Sequence, residues 1–148
     1  MTEPGVCNIF DLKSAYGLYQ EESTEMGNRI LVVDDEKEIA DVIELYLKNE
    51  NFEVVKFYTG KAALASIEKA APDMALLDVM LPDIDGFEVL QKIREKYNFP
   101  VIMLTAKTEY MDKINGLMLG ADDYMAKPFN PLELIARVKA QMLSLIHI

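Results

Sequence analysis

The stretch LLDVMLPDIDG, residues 76–86, decides the fold class of this chain. An apolar run typical of a buried strand ends on the carboxylate of Asp78, and a loop containing Pro82 and Gly86 follows at once. In open α/β sheets, chemistry takes place at the carboxyl ends of the strands. We therefore predict that Asp78 lies at that edge of a parallel sheet.

Strand and helix patterns alternate on both sides of this stretch. The predicted strands are short and apolar, as buried parallel strands should be, and they cover 29–33, 53–57, 74–78, 101–104 and 123–126. Apolar residues at helical spacing lie between them. Five strand–helix units of this length predict a parallel sheet with helices on both faces.

The predicted inward faces of the helices follow from that spacing. The first helix is expected to bury Ile39, Val42, Ile43, Tyr46 and Leu47. The second is expected to bury Ala62, Ala63, Ile67 and Ala70. The third helix begins at Gly86 and is expected to bury Val89, Leu90 and Ile93. Ile114, Leu117 and Met118 mark a short fourth helix ended by Gly120. In the fifth, Asn130 can cap, Pro131 is the first helical residue, and Glu133 completes a capping-box spacing.

Composition limits the functions that the chain can have. The 148 residues allow one domain with a real core, and 51% of them are hydrophobic, which argues against disorder. A net charge of -10 argues against nucleic-acid binding by this chain, because phosphate contacts need a basic face. The single cysteine, Cys7, excludes an internal disulfide and suits a reducing, cytoplasmic compartment. No apolar stretch is long enough to span a membrane.

Both ends of the chain differ from its middle. Residues 1–25 hold one Lys and five Asp or Glu, a balance of 1 − 5 = −4, and show no periodicity. We favour Met26 as the natural start; the alternative is a disordered acidic leader. Residues 143–148 are apolar where a polar linker is expected. We favour foreign residues appended after a domain over 26–142; the alternative is a last helix that continues with an exposed apolar face.

Polar residues that follow the other strands would meet Asp78 at the same edge. Asp34 and Asp35 follow the first strand, Thr105 the fourth and Lys127 the fifth. A carboxylate that accepts a phosphoryl group needs a divalent cation, a fixed cation for the phosphoryl oxygens, and a hydroxyl donor that distinguishes the two states. Three carboxylates suit Mg²⁺, Lys127 offers the fixed charge, and Thr105 offers the hydroxyl.

Each of these residues also has a simpler interpretation. The acidic pair or Thr105 could cap a helix, and Lys127 could be a solvated loop lysine. His147, the only histidine, lies in the atypical tail and is taken as incidental. The joint arrangement, in order and at the right strand ends, favours the phosphoacceptor site. The peptide bond between Lys127 and Pro128 is a candidate for the cis form, since a tight turn is needed there.

On these residues the sequence resembles the receiver domain of two-component response regulators over about residues 26–142. The resemblance rests on Asp34-Asp35, Asp78, Thr105-Ala106 and Lys127-Pro128-Phe129. It implies an α/β, flavodoxin-like (βα)5 three-layer sandwich, in which the parallel five-stranded sheet has the order 2-1-3-4-5. It also implies a signalling switch, and not an enzyme that turns over an external substrate.

The resemblance further assigns roles to single residues. Asp78 would take a phosphoryl group from a sensor histidine kinase. Asp35, Asp78 and the backbone carbonyl of Met80 would bind Mg²⁺ directly, with Asp34 reaching it mainly through water. Thr105 and Tyr124 would be the switch pair. The kinase is expected to dock on the first helix, where Leu45 falls off the inward stripe, and on the loop before the fifth helix, at Asn130-Pro131.

The receiver subfamily whose output domain is a winged-helix DNA binder is similar to this chain at residues 120–124 and 131–140. Within that subfamily, the vancomycin-resistance regulators are similar to it at residues 38–50 and 132–141. A second domain needs about 100 further residues, so DNA binding would belong to an output domain absent from this chain. Phosphorylation would favour a homodimer through the fourth helix, fifth strand and fifth helix. The cross-subunit charge pairs expected there are Lys113 with Glu133, Asp123 with Arg137, and Asp122 with Lys139.

Two rival functions remain open. A stand-alone receiver that acts through protein contacts shares every site residue, and a longer gene downstream would decide against it. A phosphohydrolase of the haloacid dehalogenase type also forms an aspartyl phosphate, but it requires Asp-x-Asp after the first strand. Residues 33–36, Val-Asp-Asp-Glu, lack that spacing, which disfavours the hydrolase.

Overall fold

The computed structural model describes residues 29–106 and 120–146, with side chains through residue 143. The elements in chain order are β1 Arg29–Val33, α1 Lys37–Asn49, β2 Glu53–Phe57, α2 Gly60–Lys69, β3 Met74–Asp78, α3 Gly86–Lys96, β4 Val101–Ala106, β5 Asp123–Lys127 and α4 Pro131–Ile146. The helix predicted around Ile114, Leu117 and Met118, the candidate dimer residue Lys113 and the leader lie outside the described residues. Helix α4 is therefore the fifth helix of the sequence analysis.

The five strands form one parallel sheet in the order β2-β1-β3-β4-β5, which confirms the predicted order. Asp78, the last residue of β3, is in register with Leu104, and Ala106 at the end of β4 is in register with Lys127. This register brings the ends of β3, β4 and β5 to one edge, as the sequence predicts for the candidate site.

The core has two parts, one on each face of the sheet, because successive strand residues point to opposite faces. On one face the sheet packs against α1 and α4, with Ile43 and Leu134 among the fully buried residues. On the other face it packs against α2 and α3, with Ile67 and Leu90 buried. The result is the predicted three-layer sandwich.

The predicted inward face of α1 was partly wrong. The buried residues are Ala40, Ile43 and Leu47, whereas Val42 is 43% exposed and Tyr46 is 37% exposed. Ala40 was left out of the predicted face because its small side chain adds little to a hydrophobic pattern, and the face that includes it excludes Val42 and Tyr46. Leu45, on the opposite side of α1, is 67% exposed, as predicted.

The other helices agree better with the prediction. In α3, Val89, Leu90 and Ile93 are buried as expected. In α2 only Ala63 and Ile67 of the predicted set are buried; Ala62 lies on the exposed side and Ala70 follows the last helical residue. Alanines carry too little hydrophobic signal to fix a helix face on their own.

The start of α4 confirms Asn130 as the cap and Pro131 as the first helical residue. The side chain of Asn130 accepts a hydrogen bond from the N–H of Leu132 at 2.8 Å, and Pro131 is the first helical residue. Glu133 forms an ion pair with Arg137 at 3.0 Å, one turn further along the helix. The Lys127–Pro128 peptide bond is cis, as predicted. In the part of the chain that the structure covers, no helix is long and apolar enough to cross a membrane.

Candidate functional site

Three carboxylates meet where β1 and β3 end. Asp34 and Asp78 are buried, and Asp35 between strand and helix is exposed. Asp34 is held by its own turn, because its Oδ1 accepts a hydrogen bond from the N–H of Glu36 at 2.9 Å. One carboxylate oxygen from each of the three aspartates lies within 4.8 Å of the others. This spacing allows all three to face a single cation.

Lys127, the last residue of β5, reaches into this cluster. Its Nζ lies 2.8 Å from Oδ2 of Asp34 and 3.2 Å from Oδ2 of Asp78. The approach to Asp34 is an ion pair without hydrogen-bond geometry, and within the described ranges this buried oxygen has no hydrogen-bond partner. The ammonium therefore balances two buried negative charges and leaves Asp34 with an unused acceptor.

A third carboxylate on Lys127 was missed by the sequence analysis. Oε1 of Glu36 accepts a hydrogen bond from Nζ of Lys127 at 3.1 Å, and Glu36 is largely exposed. The available signal was the uninterrupted acidic run Asp34-Asp35-Glu36. Nζ of Lys127 therefore donates hydrogen bonds to Glu36 and Asp78 and forms an ion pair with Asp34.

Burial and crowding perturb the acid–base properties of this cluster. Burial, together with the neighbouring charge of Asp34, raises the pKa of Asp78 to about 6, although Lys127 and the N–H of Met80 act in the opposite direction. Burial acts to lower the pKa of Lys127, but the carboxylates of Asp34 and Asp78 outweigh it and hold that pKa above its ordinary value. Lys127 thus stays charged while Asp78 titrates just below neutral pH.

The loop after Asp78 returns very close to the strand. A Cβ on Gly86 would lie 2.1 Å from the carbonyl oxygen of Asp78, so that only glycine fits there. The N–H of Gly86 donates a hydrogen bond to the carbonyl oxygen of Val79 at 2.8 Å. Within this loop the N–H of Met80 donates to Oδ1 of Asp78 at 3.3 Å, which places the Met80 backbone beside the carboxylate.

The two predicted switch residues occupy neighbouring strands. Thr105 is buried in β4, and its Oγ1 has no hydrogen-bond partner among the described residues. Tyr124 in β5 is only 7% exposed and belongs to the core on the α2–α3 face. The Tyr124 ring is therefore already inward in this structure, and Thr105 holds a hydroxyl that can be directed at a new acceptor.

Among the described residues, the charged side chains assigned to a dimer face have partners within the chain. Arg137 Nη1 contacts the two carboxylate oxygens of Asp123 at 2.7 and 2.9 Å. Asp122 accepts from Arg94 at 2.8 Å, and Lys139 forms an ion pair with Glu50 at 2.5 Å. A dimer that used these charges across subunits would have to exchange or share the pairs that the single chain already makes.

This sheet order, with three aspartates and a lysine at the strand ends, is the arrangement of a receiver domain. Residues 30–139 match the response regulator receiver domain family, and the chain belongs to that family. It is therefore a receiver of the two-component response regulator type, a class of signalling switches.

Individual members of this family are similar to the chain in sequence and in structure. Over 117 residues the chain is 64% identical to the regulatory protein VanRc of Enterococcus gallinarum and 61% identical to the regulatory protein VanR of Enterococcus faecium. These alignments cover 79% of this chain and 51% of each relative, so that the chain spans about half the length of these curated relatives. A CheY-like receiver domain protein from Methanospirillum hungatei has 35% identity and a TM-score of 0.75, covering 79% of this chain and 94% of that chain.

Proposed function

We propose that Asp78 is the phosphoacceptor of this receiver and that it works with Mg²⁺ and Lys127. The observation that carries the proposal is a buried carboxylate at a strand end, 3.2 Å from the Nζ of a partly buried lysine and beside two further aspartates. Family membership supports it, because receiver domains accept phosphoryl groups on an aspartate.

The donor set suits Mg²⁺. The cluster offers oxygen ligands only, which a hard cation of this kind prefers, and Oδ2 of Asp34 is a buried acceptor without a hydrogen bond. Asp35, Asp78 and the Met80 carbonyl would hold the cation directly, and Asp34 would reach it mainly through water. The bound cation would offset the negative charge that accumulates as the phosphoryl group arrives.

The chain's own groups account for the transfer step. A carboxylate oxygen of Asp78 forms a bond to phosphorus while the bond from phosphorus to the donor's nitrogen or oxygen breaks, and the donor leaves with that electron pair. Lys127 then directs an N–H at a phosphoryl oxygen. Glu36 is its most exposed partner and the easiest to release. The Thr105 hydroxyl, which has no hydrogen-bond partner in the part of the chain that the structure describes, donates to another phosphoryl oxygen and so distinguishes the two states.

Incubation with a small phosphodonor and Mg²⁺ tests the proposal directly. The expected product carries one phosphoryl group on Asp78, located by mass spectrometry after reduction of the acyl phosphate. Modification at another residue, or none in the presence of Mg²⁺, would contradict the proposal.

Mg²⁺ binding is expected to depend on Asp35 more than on Asp34. Loss of a water-mediated partner typically weakens a metal site about tenfold, so that Asp34→Ala should show about that loss and Asp35→Ala a larger one. Asp78 takes up a proton as the pH falls through about 6, so that binding should also weaken between pH 7.5 and pH 5. Titration of both variants with MgCl₂, followed by amide resonances, gives the ranking. Equal losses would contradict it.

A sensor histidine kinase is the proposed phosphodonor, and it would dock beside the acidic cluster. Helix α1 begins just after Asp34-Asp35, and α4 begins just after Lys127. Both helices pack on the same face of the sheet, and they expose Leu45 at 67% and Leu132 at 73%. We propose that these two exposed leucines, together with the loop at Asn130-Pro131, contact the kinase.

Leu45→Arg should therefore slow phosphotransfer from the cognate kinase without changing phosphorylation by a small donor. The loss of one contact residue worth about 1 kcal/mol corresponds to a reduction of about fivefold in binding. Lys69→Ala, on α2 at the other face of the sheet, is the control. An unchanged rate for Leu45→Arg would remove α1 from the docking surface.

We also propose that phosphorylation favours a homodimer through the predicted fourth helix, β5 and α4. The charges that would pair across subunits now pair within the chain, Arg137 with Asp123 and Glu133. Exposed pairs contribute about 0–1 kcal/mol each, so that exchanging them between subunits changes the free energy little. The unphosphorylated chain should therefore be mostly monomeric.

Sedimentation with and without beryllofluoride is expected to show an increase toward twice the mass on activation. Arg137→Glu should abolish this increase, because it opposes the carboxylates of Asp123 and Glu133. Lys92→Glu on α3 makes the same charge change elsewhere and should leave the increase intact. An increase that Arg137→Glu does not alter would refute the interface.

The output of this switch is proposed to be transcriptional. The resemblance to regulatory proteins about twice as long supports a DNA-binding output domain outside the 148 residues, a cytoplasmic location, and no turnover of an external substrate. A stand-alone receiver that acts by protein contacts remains the alternative. Sequencing downstream of the codon for Met142 separates the two.

A further inference from the structure

The loop that follows Asp78 is hydrogen-bonded to the start of α2 through Asp83, which is not one of the proposed site residues. The two carboxylate oxygens of Asp83 accept hydrogen bonds from the first two N–H groups of α2, those of Gly60 at 2.8 Å and Lys61 at 2.9 Å. These contacts join residues 22 and 23 positions apart in the sequence. Asp83 therefore connects two elements and is more than a local cap.

The helix has a cap of its own. Thr59 lies at the N-cap position of α2, and its Oγ1 accepts a hydrogen bond from the N–H of Ala62 at 3.2 Å. The Asp83 carboxylate satisfies the two N–H groups before that of Ala62, those of Gly60 and Lys61, which are among the N–H groups that a helix leaves unpaired at its start. Those N–H groups lower the pKa of Asp83 to about 2, so that the carboxylate stays charged over the working pH range.

Apolar packing fixes the same junction. A Cβ on Gly60 would lie 2.6 Å from Cγ1 of Ile84 and 2.8 Å from Cγ2 of Val89. The loop residue Ile84 and the α3 residue Val89 thus rest directly on the first turn of α2. The loop is held at its far end as well, where Gly86 packs against Asp78 and Val79.

Met80 lies between Val79, which is held by the N–H of Gly86, and Asp83, which is held by the start of α2. Its N–H contacts Asp78, while its side chain is 69% exposed and contributes little packing of its own. The position of its backbone therefore depends on what holds the loop on either side. Gly86 anchors one side through backbone contacts, and Asp83 is the polar anchor on the other.

We propose that Asp83 is a positioning residue for the metal site: by fastening the loop to the start of α2, it holds the Met80 backbone where its carbonyl can bind Mg²⁺ beside Asp78. The inference rests on the proposed function, since it presupposes that Mg²⁺ binds there. It also makes the first turn of α2 part of the support of the phosphoacceptor.

The test compares two losses at the same helix terminus. Asp83→Ala removes the tether, and Thr59→Ala removes a cap whose hydrogen bond lies within the first turn of α2. Both should lower the denaturant midpoint of the metal-free chain. Only Asp83→Ala should weaken Mg²⁺ binding, by about tenfold, as the loss of an outer-shell partner typically does. Affinity is read from amide resonances during a MgCl₂ titration, with the Met80 amide as the local probe.

Asp83→Asn separates the effect of the hydrogen bonds on Mg²⁺ affinity from the effect of the charge. It also replaces the alanine variant in the test if that variant does not fold. Asparagine removes the charge but keeps one acceptor oxygen, so that its Mg²⁺ affinity should fall between those of the wild type and Asp83→Ala. Equal affinity losses in the asparagine and alanine variants would overturn the proposal in favour of a charge effect. Equal Mg²⁺ affinity in Asp83→Ala and Thr59→Ala would overturn it in favour of a purely structural cap. A wild-type chain that does not bind Mg²⁺ at all would overturn the proposed metal site as well.

Discussion

Asp78→Asn is expected to abolish phosphoryl uptake from both small donors and a cognate kinase. Asparagine has nearly the same shape, and its side-chain oxygen can still accept from the N–H of Met80, which contacts Oδ1 in this structure. It lacks the nucleophilic carboxylate, so that no acyl phosphate can form. The expected result is a loss to the background of the assay, because the carboxylate at the end of β3 that contacts Lys127 is the proposed nucleophile.

The matched control is Asp85→Asn in the same loop. Asp85 is exposed and caps α3, with its Oδ1 accepting from the N–H of Phe87 at 2.7 Å. This variant makes the same chemical change seven positions further on and should still be phosphorylated at Asp78. Uptake by Asp78→Asn at the wild-type rate and site would show that the acceptor lies elsewhere.

The strand ends were predictable from the sequence because buried parallel strands combine a short apolar run with a polar stop. Asp78 and Lys127 are the last residues of β3 and β5, whereas Thr105, predicted to follow the fourth strand, is the second-to-last residue of β4. The order of the strands came from the family resemblance, since periodicity alone does not give an order. The tight turn at Gly86 could be read only as a loop; that no Cβ fits there follows from the close approach of the Asp78 carbonyl.

What the sequence did not reveal are contacts between side chains far apart in the chain. The hydrogen bond between Glu36 and Lys127 joins residues 91 positions apart, and the one between Arg94 and Asp122 joins residues 28 positions apart. Asp122 and Arg137 were interpreted as partners for another subunit because each is a charge on an exposed element. Their actual neighbours depend on how α3, β5 and α4 pack. The inward face of α1 was misplaced for a similar reason, since the small Ala40 is fully buried while Val42 is not.

The second large effect concerns stability, and it follows from the raised pKa of Asp78. In the folded chain this pKa is about 6, against 3.8 for the free side chain. A pKa raised on folding means that the protonated form is favoured in the folded state. The stabilising effect of the bound proton is therefore complete below pH 3.8 and is lost as the pH rises through 6. At neutral pH the buried charge of Asp78 opposes folding in the absence of Mg²⁺.

Asp78→Asn should accordingly stabilise the metal-free chain at pH 7.5 by about 2–3 kcal/mol, since each pKa unit corresponds to about 1.4 kcal/mol. The difference should shrink as the pH falls through 6 and vanish near pH 4. Mg²⁺ should raise the stability of the wild type and leave the variant unchanged, because the variant lacks one ligand. Urea unfolding at a series of pH values, with and without MgCl₂, measures each of these differences.

Asp83→Asn provides a control of opposite sign. The pKa of Asp83 is lowered to about 2 by the N–H groups at the start of α2, so that its contribution to stability is present above pH 3.8 and is lost as the pH falls toward 2. Its replacement should destabilise the chain at pH 7.5, where replacement of Asp78 stabilises it. If both variants shifted stability in the same direction at that pH, burial of an uncompensated charge at Asp78 would not be the cause. The reactivity of Asp78 toward phosphorus would then not depend on the unfavourable burial of its charge beside Asp34.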